Sequence, residues 1–280
     1  MRDRIAWRAV VLFVGVHVAA VAGAIAYGFS WHGVALAGGL YVVRMFAITG
    51  GTHRYFAHRS YRTSRAMQLV LALVATTSSQ QGVLWWASQH RAHHQHADEA
   101  ADPHARHRGF WWSHLGWFLV HTYDATEWSR MRDFAAYREL RWLDRFYIVP
   151  IVGLIGVLAL AGGLPAVVWG YCVSTVVLWH ATSALTSIAH WLGSQRYATG
   201  DESRNSAALA LITLGDGWHN NHHFYPGSAR HGFYWWELDL TYLGLRALAA
   251  VGLIWDLRVV PEHVRARHVE DPACAARSLV

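Results

Sequence analysis

The chain has 280 residues, 54% of them apolar and 15% charged, with a mean hydropathy of +0.15 and a formal net charge of +6. That apolar content excludes a disordered chain, and two cysteines, Cys172 and Cys274, exclude a disulfide scaffold. Twenty histidines and 16 tryptophans in so apolar a chain point to a membrane protein with a metal site. All 24 basic residues are arginine, and they flank apolar stretches instead of forming a dense patch, so no nucleic-acid partner is expected.

Four segments have the length and apolarity of a bilayer span, which takes about 20 residues. They cover about 5–27, 32–49, 146–161 and 165–189. The first is longer than a signal-peptide core and reads as a retained helix. Short turns around Gly28–Trp31 and at Ala161-Gly-Gly-Leu-Pro165 join them into two hairpins. Met67–Ala75 is apolar but short and runs into polar Thr76–Gln81, so it reads as an interfacial or re-entrant helix. Leu238–Trp255 carries Asp239 and Arg246 and reads as a helix lying on the protein or the interface, with a fifth span as the alternative. Arg2, Arg4 and Arg8 precede the first span, and Arg54, Arg59, Arg62 and Arg65 follow the second. Arg138, Arg141 and Arg145 precede the third, Arg196 and Arg204 follow the fourth, and neither hairpin turn carries an arginine. The positive-inside rule then puts both termini and the polar regions, about 50–145 and 190–280, in the cytoplasm. The expected architecture is an all-α integral membrane protein, a single domain over residues 1–280. Four transmembrane helices in two hairpins carry a cytosolic helical cap.

Three histidine clusters fall in the cap regions: His53 and His58, then His90-Arg-Ala-His93-His94, then His219-Asn-Asn-His222-His223. The last two share the pattern H-x-x-H-H, whose i, i+3 and i+4 positions lie on one helix face. His53 and His58 are five apart, about 140° around an ideal helix, and converge only if the helix ends or unwinds between them. His190, at the end of the fourth span, completes a set of nine imidazoles, too many for one ion and enough for two. A structural zinc would need four ligands and usually uses cysteine, and the Glu-x-x-His pairs of soluble di-iron bundles are missing. Neutral ligands leave the ions their full charge, which favours binding a reduced oxygen species, and iron can direct such a species at an unactivated C–H bond. Two irons are therefore expected. His17, His32, His121, His180, His231, His263 and His268 read as packed or hydrogen-bonded groups, and His96, His104, His107 and His114 as surface groups or groups near the ligands.

These residues resemble the membrane fatty-acyl desaturases, in particular the stearoyl/delta-9 acyl branch, over about residues 31–260. The resemblance rests on Gly50-Gly-Thr-His53-Arg-Tyr-Phe-Ala-His58-Arg-Ser-Tyr, His90-Arg-Ala-His-His94, Ala101-Asp-Pro-His104, Arg108-Gly-Phe-Trp-Trp-Ser-His-Leu-Gly-Trp117 and Gly217-Trp-His-Asn-Asn-His-His223. It implies a mushroom-shaped fold of four spans and a cytosolic cap, an acyl tunnel, and two irons held by nine histidines. His53, His58, His90, His94 and His223 would hold the first iron, and His93, His190, His219 and His222 the second. Thr186 stands where the family usually has an Asn that reaches the second iron through a water. Ser88-Gln89 stands where animal acyl-coenzyme A enzymes have Arg-Asp. Asp102 and Asp216 are candidates to orient ligand imidazoles. Trp86 and Trp112, with Trp85, Trp111 and Trp117, are candidate tunnel walls, with interfacial anchoring as the equal alternative.

The implied activity is O2-dependent insertion of a double bond, at delta-9, into a long saturated acyl chain presented on coenzyme A, a carrier protein or a lipid. Electrons would come from an external donor such as ferredoxin or a cytochrome or flavoprotein reductase. The protein would sit in the bacterial inner membrane with its active site on the cytoplasmic side. An acyl or alkyl hydroxylase uses the same ligand spacing and is the alternative. A metal transporter would hold its ligands inside the spans near the midplane, whereas these clusters lie outside them.

Overall fold

The computed structural model describes residues 3–267, so Arg2, His268 and Cys274 lie outside the described residues. The chain is mostly helical, and three apolar helical stretches are long enough to cross a membrane: Trp7–Tyr27, Trp31–Ala57 and Ile148–His190. Helix α1, Trp7–Tyr27, buries only Ala20 and leaves Val11, Val14, Val18, Val21 and Ile25 exposed. Such a face is stable against lipid and not against water. It stops at Gly28, whose φ of 69° ends the helix. Helix α2, Trp31–Phe46, starts at Ser30, whose hydroxyl accepts the Gly33 N–H at 3.2 Å. It runs without a break into a π-helix, Ala47–Ala57.

Helix α3, Arg65–Thr76, is followed by the polar turn and then α4, Val83–His96, which bears the second histidine cluster. Short helices α5, Phe110–His114, and α6, Arg138–Arg145, follow. Helix α7, Ile148–Ala166, a second π segment, Val167–Val173, and α8, Ser174–Thr186, form the long apolar stretch. Its winding breaks at Gly162 and Gly163, the latter with φ 66°. The two limbs fold back on each other there: Ile151 and Leu158 share a buried cluster with Tyr171, Cys172 and Ala20 of α1. Arg44 of α2 is buried among these helices and donates to Ser174 Oγ at 2.6 Å, Thr175 Oγ1 at 2.7 Å and the Thr77 carbonyl at 3.2 Å. An intramembrane cation placed this way ties α2, α8 and the end of α3 together.

Beyond the membrane stretches come α9, Ala207–Ile212, α10, His219–Phe224, α11, Leu240–Ala250, and α12, Glu262–Arg265. Two corrections to the sequence reading arise here. The apolar run 238–255 is not one helix: α11 ends at Ala250, Gly252 takes φ 74°, and the chain becomes extended. The fold is also not purely α, because Arg62–Thr63 (β1) pairs antiparallel with Ile254–Trp255 (β2). That pair closes the main cap core, in which Phe56, Leu71, Leu84, Leu140, Leu143 and Leu245 pack together.

The cap sits at one end of the apolar helices. Ile5 bridges to Val120 at the start of α1, while the π-helix ending α2 and the turn ending α8 lead into the histidine clusters. The breaks at Gly28 and at Gly162–Gly163 lie at the opposite helix ends.

Candidate metal centre

The first cluster owes its geometry to the winding of the chain. In a π-helix the backbone bonds run from i+5 to i, so residues five apart stack over one another. The His58 N–H donates to the His53 carbonyl at 3.1 Å, and the two rings lie 5.0 Å apart. The pair thus converges through the wider winding and the helix end at Ala57, in line with the helix end or unwound turn that the spacing required.

The two H-x-x-H-H motifs divide their imidazoles in the same way. Positions i and i+4 on an α-helix are about 40° apart, and i+3 falls on the other side of i. His90 and His94 turn to one cluster and His93 to another. On α10, His219 and His223 go together and His222 turns away. The result is two groups, His53, His58, His90, His94 and His222, and His93, His190, His219 and His223. Within each, the candidate ligand atoms all lie within 4.8 Å of one another. All nine expected histidines are brought together, but His222 and His223 exchange places relative to the division the resemblance implies.

Carboxylates fix the ring orientations. The Nδ1–H of His53 donates to Asp216 Oδ2 at 2.7 Å, and that of His93 to Asp102 Oδ2 at 2.9 Å. His190 donates to Asp98 at 2.9 Å and His223 to Asp201 at 2.8 Å. In the neutral imidazole this leaves a lone pair on the Nε2 of each of these four rings, and those of His93 and His223 face each other. His93 and His223 approach Nε2 to Nε2 at 3.3 Å, His190 and His219 at 3.0 Å, and His53 and His222 at 2.9 Å. Facing lone pairs repel unless a cation lies among them, so the donor set fits two metal ions. It is also one that iron accepts.

The electrostatics agree for six of the nine rings, whereas at His93 burial is outweighed by the Asp102 carboxylate, which holds that imidazole above its ordinary range. Burial holds the imidazoles of His58, His90, His94, His219, His222 and His223 well below the ordinary histidine range, so they are neutral at pH 7. Burial pushes the carboxyls the other way, but it is outweighed. The bond from His190 holds Asp98 below its usual range, His104 and His93 do so for Asp102, and His53 and Arg54 hold Asp216 well below it. Arg54 is fully buried and bridges Asp216 Oδ1 at 2.9 Å to Asp239 Oδ1 at 3.0 Å. Gly215, at φ 128°, carries the chain into Asp216, where any Cβ would lie 2.3 Å from Asp239 Oδ1.

A cavity of about 40 Å³ opens beside the clusters, with Ile48, Trp86, Thr182, Leu185 and Thr186 on its wall. Gln80 joins two of these, accepting from Trp86 Nε1 and donating to Thr182 Oγ1, both at 2.9 Å. Trp112 does not reach this wall. Its indole N–H donates to the Pro103 carbonyl at 3.1 Å and its ring lies under the Arg108 guanidinium. Trp85 stacks on Trp117 and donates to the Tyr123 carbonyl, and Trp111 is exposed. Thr186 lies on the wall, yet its hydroxyl donates to backbone carbonyls, Ser113 at 2.7 Å or Ser183 at 3.0 Å. Ser88 and Gln89 are buried and hold the loop at residues 125–127 through the Glu127 N–H and the Ala125 carbonyl.

Sequence reasoning missed Asp98, Asp201, Arg54 and His231, which is fully buried against His53 and His222. Asp98 follows His94 by four residues at φ 62°, a position that Asp tolerates. Asp201 carries no such signal. His104 is buried against His93, ring centroids 4.1 Å apart, in keeping with a role near the ligands.

A helical membrane protein presenting two imidazole clusters beside an apolar-walled cavity is the class that the fold and site define. The sequence model of the family described as fatty acid desaturase matches residues 29–256, and the chain belongs to that family. It is 37% identical over 265 residues to the sn-1 stearoyl-lipid 9-desaturase of Synechocystis sp., covering 92% of this chain and 81% of that one. It is 36% identical over 260 residues to the sn-1 stearoyl-lipid 9-desaturase of Anabaena variabilis, covering 92% and 96%. An acyl-CoA 5-desaturase of Anemone leveillei is 35% identical over 269 residues, covering 95% and 83%. The protein is a fatty acyl desaturase, an oxidoreductase of lipid metabolism in a membrane setting.

Proposed function

We propose that the chain is one desaturase domain that inserts a delta-9 double bond into a saturated acyl chain carried on a membrane lipid. The observation that carries this reading is the pair of imidazole clusters, five and four histidines, facing a cavity at the cap end of the apolar helices. His53, His58, His90, His94 and His222 would hold one iron, and His93, His190, His219 and His223 the other. When bound, the irons supply the activation of O2 that lets hydrogen be taken from an unactivated methylene pair. The balanced reaction consumes one O2, two electrons and two protons, and yields the alkene and two waters.

The chain's own residues supply position. Asp98, Asp102, Asp201 and Asp216 hold the Nδ1 protons of His190, His93, His223 and His53 and so aim those four Nε2 atoms inward. Trp86, Thr182 and Leu185 form the wall against which one C–C bond is presented. A methylene chain offers no polar handle, so its register is set by shape alone. The cavity as it stands is too small for an acyl chain, so substrate must displace side chains along this wall as it enters.

A lipid-linked substrate is supported by the names of the two stearoyl-lipid relatives and by the buried Ser88-Gln89 pair. The arginine distribution supports four spans in two hairpins, with the break at Gly162–Gly163 as the second turn and the cap in the cytoplasm of a bacterial inner membrane. A ferredoxin or a flavoprotein reductase would deliver electrons there. The test is product analysis of lipids from cells expressing the protein. A new delta-9 monounsaturated chain at a glycerolipid position, lost in His94→Ala, is expected. Hydroxylated chains, or unchanged lipids despite bound iron and a competent donor, would sink the proposal.

A further inference from the structure

His231 lies outside every histidine motif, yet it is fully buried at the first cluster. Its ring centroid is 4.3 Å from that of His222, tilted by 32°, and 5.2 Å from that of His53. Its Nδ1 is 3.1 Å from Asp216 Oδ1, the carboxylate whose other oxygen holds His53. The backbone around it is fixed on both sides. The His231 N–H donates to Asp239 Oδ2 at 2.7 Å, and its carbonyl accepts from Asn221 Nδ2 at 2.9 Å. Asn221 immediately precedes His222, so the same contact sets the position of α10. Arg54 closes the ring by joining Asp216 to Asp239.

Neither ring nitrogen of His231 has a well-aligned hydrogen bond, and His222 Nδ1 has none either. Buried polar atoms in this state call for an explanation. A third metal ion at His53, Asp216 and His231 is disfavoured, because the Arg54 guanidinium already occupies the same carboxylate. The ring packing and the Asp216 contact point to a mechanical role. His222 is the one first-cluster imidazole contributed by α10, and the His231 ring fills the space behind it.

We infer that His231 is a positioning residue for the first metal: its ring backs His222, and through Asp216 it shares the orientation of His53. The inference rests on the two-metal reading above. It acts on two of the five first-cluster ligands and on none of the second cluster, so its removal affects the two sites unequally.

The experiment compares wild type, His231→Leu and His231→Gln, purified in detergent and titrated with ferrous iron, with cobalt(II) as a spectroscopic probe. In His231→Leu, one of the two metal equivalents is expected to bind ten-fold or more weakly, with a changed visible spectrum, while the other is unaffected. The turnover number should fall with KM for the acyl substrate unchanged, and His231→Gln should restore part of the affinity. A purely structural role would lower thermal stability and leave the folded fraction with two metals at wild-type affinity and an unchanged spectrum; that result overturns the inference. If His231→Leu does not fold, the same comparison on His231→Gln decides it. A wild type that takes up no metal overturns the two-metal reading itself.

Discussion

Asp201 faces a single ligand ring, that of His223, which makes it the carboxylate to perturb. Asp201 is 22 residues from His223 in sequence and meets it at 2.8 Å. Asp201→Asn keeps the shape but replaces an anionic acceptor by a neutral one, so the His223 lone pair becomes less basic. Metal affinity at the second cluster is expected to drop 10–100-fold, read by iron titration of the purified variant, with the first cluster unchanged. Thr186 is a different case, because its hydroxyl proton is committed to backbone carbonyls. Thr186→Val leaves the Ser113 carbonyl without this donor and should cost about 1 kcal/mol of stability in a denaturation series. Thr186→Asn keeps a donor for that carbonyl and adds a carbonyl oxygen at the cavity wall. Its activity is expected to equal or exceed wild type in the lipid-product assay, and a loss would show that threonine is suited to this site.

The elements that carry the ligands are held by partners far along the chain. Helix α4 begins at Gly82, which has no side chain to cap it. The cap comes from Asp144 of α6, whose Oδ1 accepts the N–H groups of Leu84 at 3.1 Å and Trp85 at 2.9 Å while Thr126 donates to Oδ2. Gly82 is what lets the carboxylate approach, since any Cβ there would lie 2.1 Å from Asp144 Oδ1. Asp144→Ala is expected to destabilise the protein by about 1–3 kcal/mol and to loosen His90, His93 and His94 together, seen as a lower Tm with parallel loss of iron. This arrangement also shows where sequence reading reaches its limit. The nine histidines stood out because their spacing within each motif is local, and the apolar stretches because composition is local. The winding that aligns His53 with His58, and the exchange of His222 and His223 between clusters, depend on helix phase, which motif spacing alone did not settle. Asp144, Asp201 and His231 act across 60, 22 and 9 residues, on Leu84, His223 and His222 respectively, and no pattern in the sequence announces them.

At the scale of the whole molecule, apolar helices and a polar cap meet at a layer of buried imidazoles. That layer gives stability a definite pH dependence. Histidines in an unfolded chain titrate near pH 6.5. In the folded protein burial pushes His58, His90, His94, His219, His222 and His223 well below that value. Below about pH 6.5 the unfolded state therefore binds protons that the folded state refuses, and stability falls as pH falls. Above that pH both states hold these rings neutral and the contribution is flat. Asp98, Asp102 and Asp216 are held below their ordinary range, so their contribution persists until the pH drops beneath that range, and the histidines set the window. Bound metal steepens the same trend, since each ligand must be neutral to bind. Thermal denaturation in detergent should show a constant Tm between about pH 7 and 8 and a falling Tm from about pH 6.5 to 5, with iron released over the same interval. The metal-free protein should follow the same direction with a smaller amplitude. A Tm that stays level down to about pH 5 in both forms would mean that these imidazoles are not kept neutral by burial.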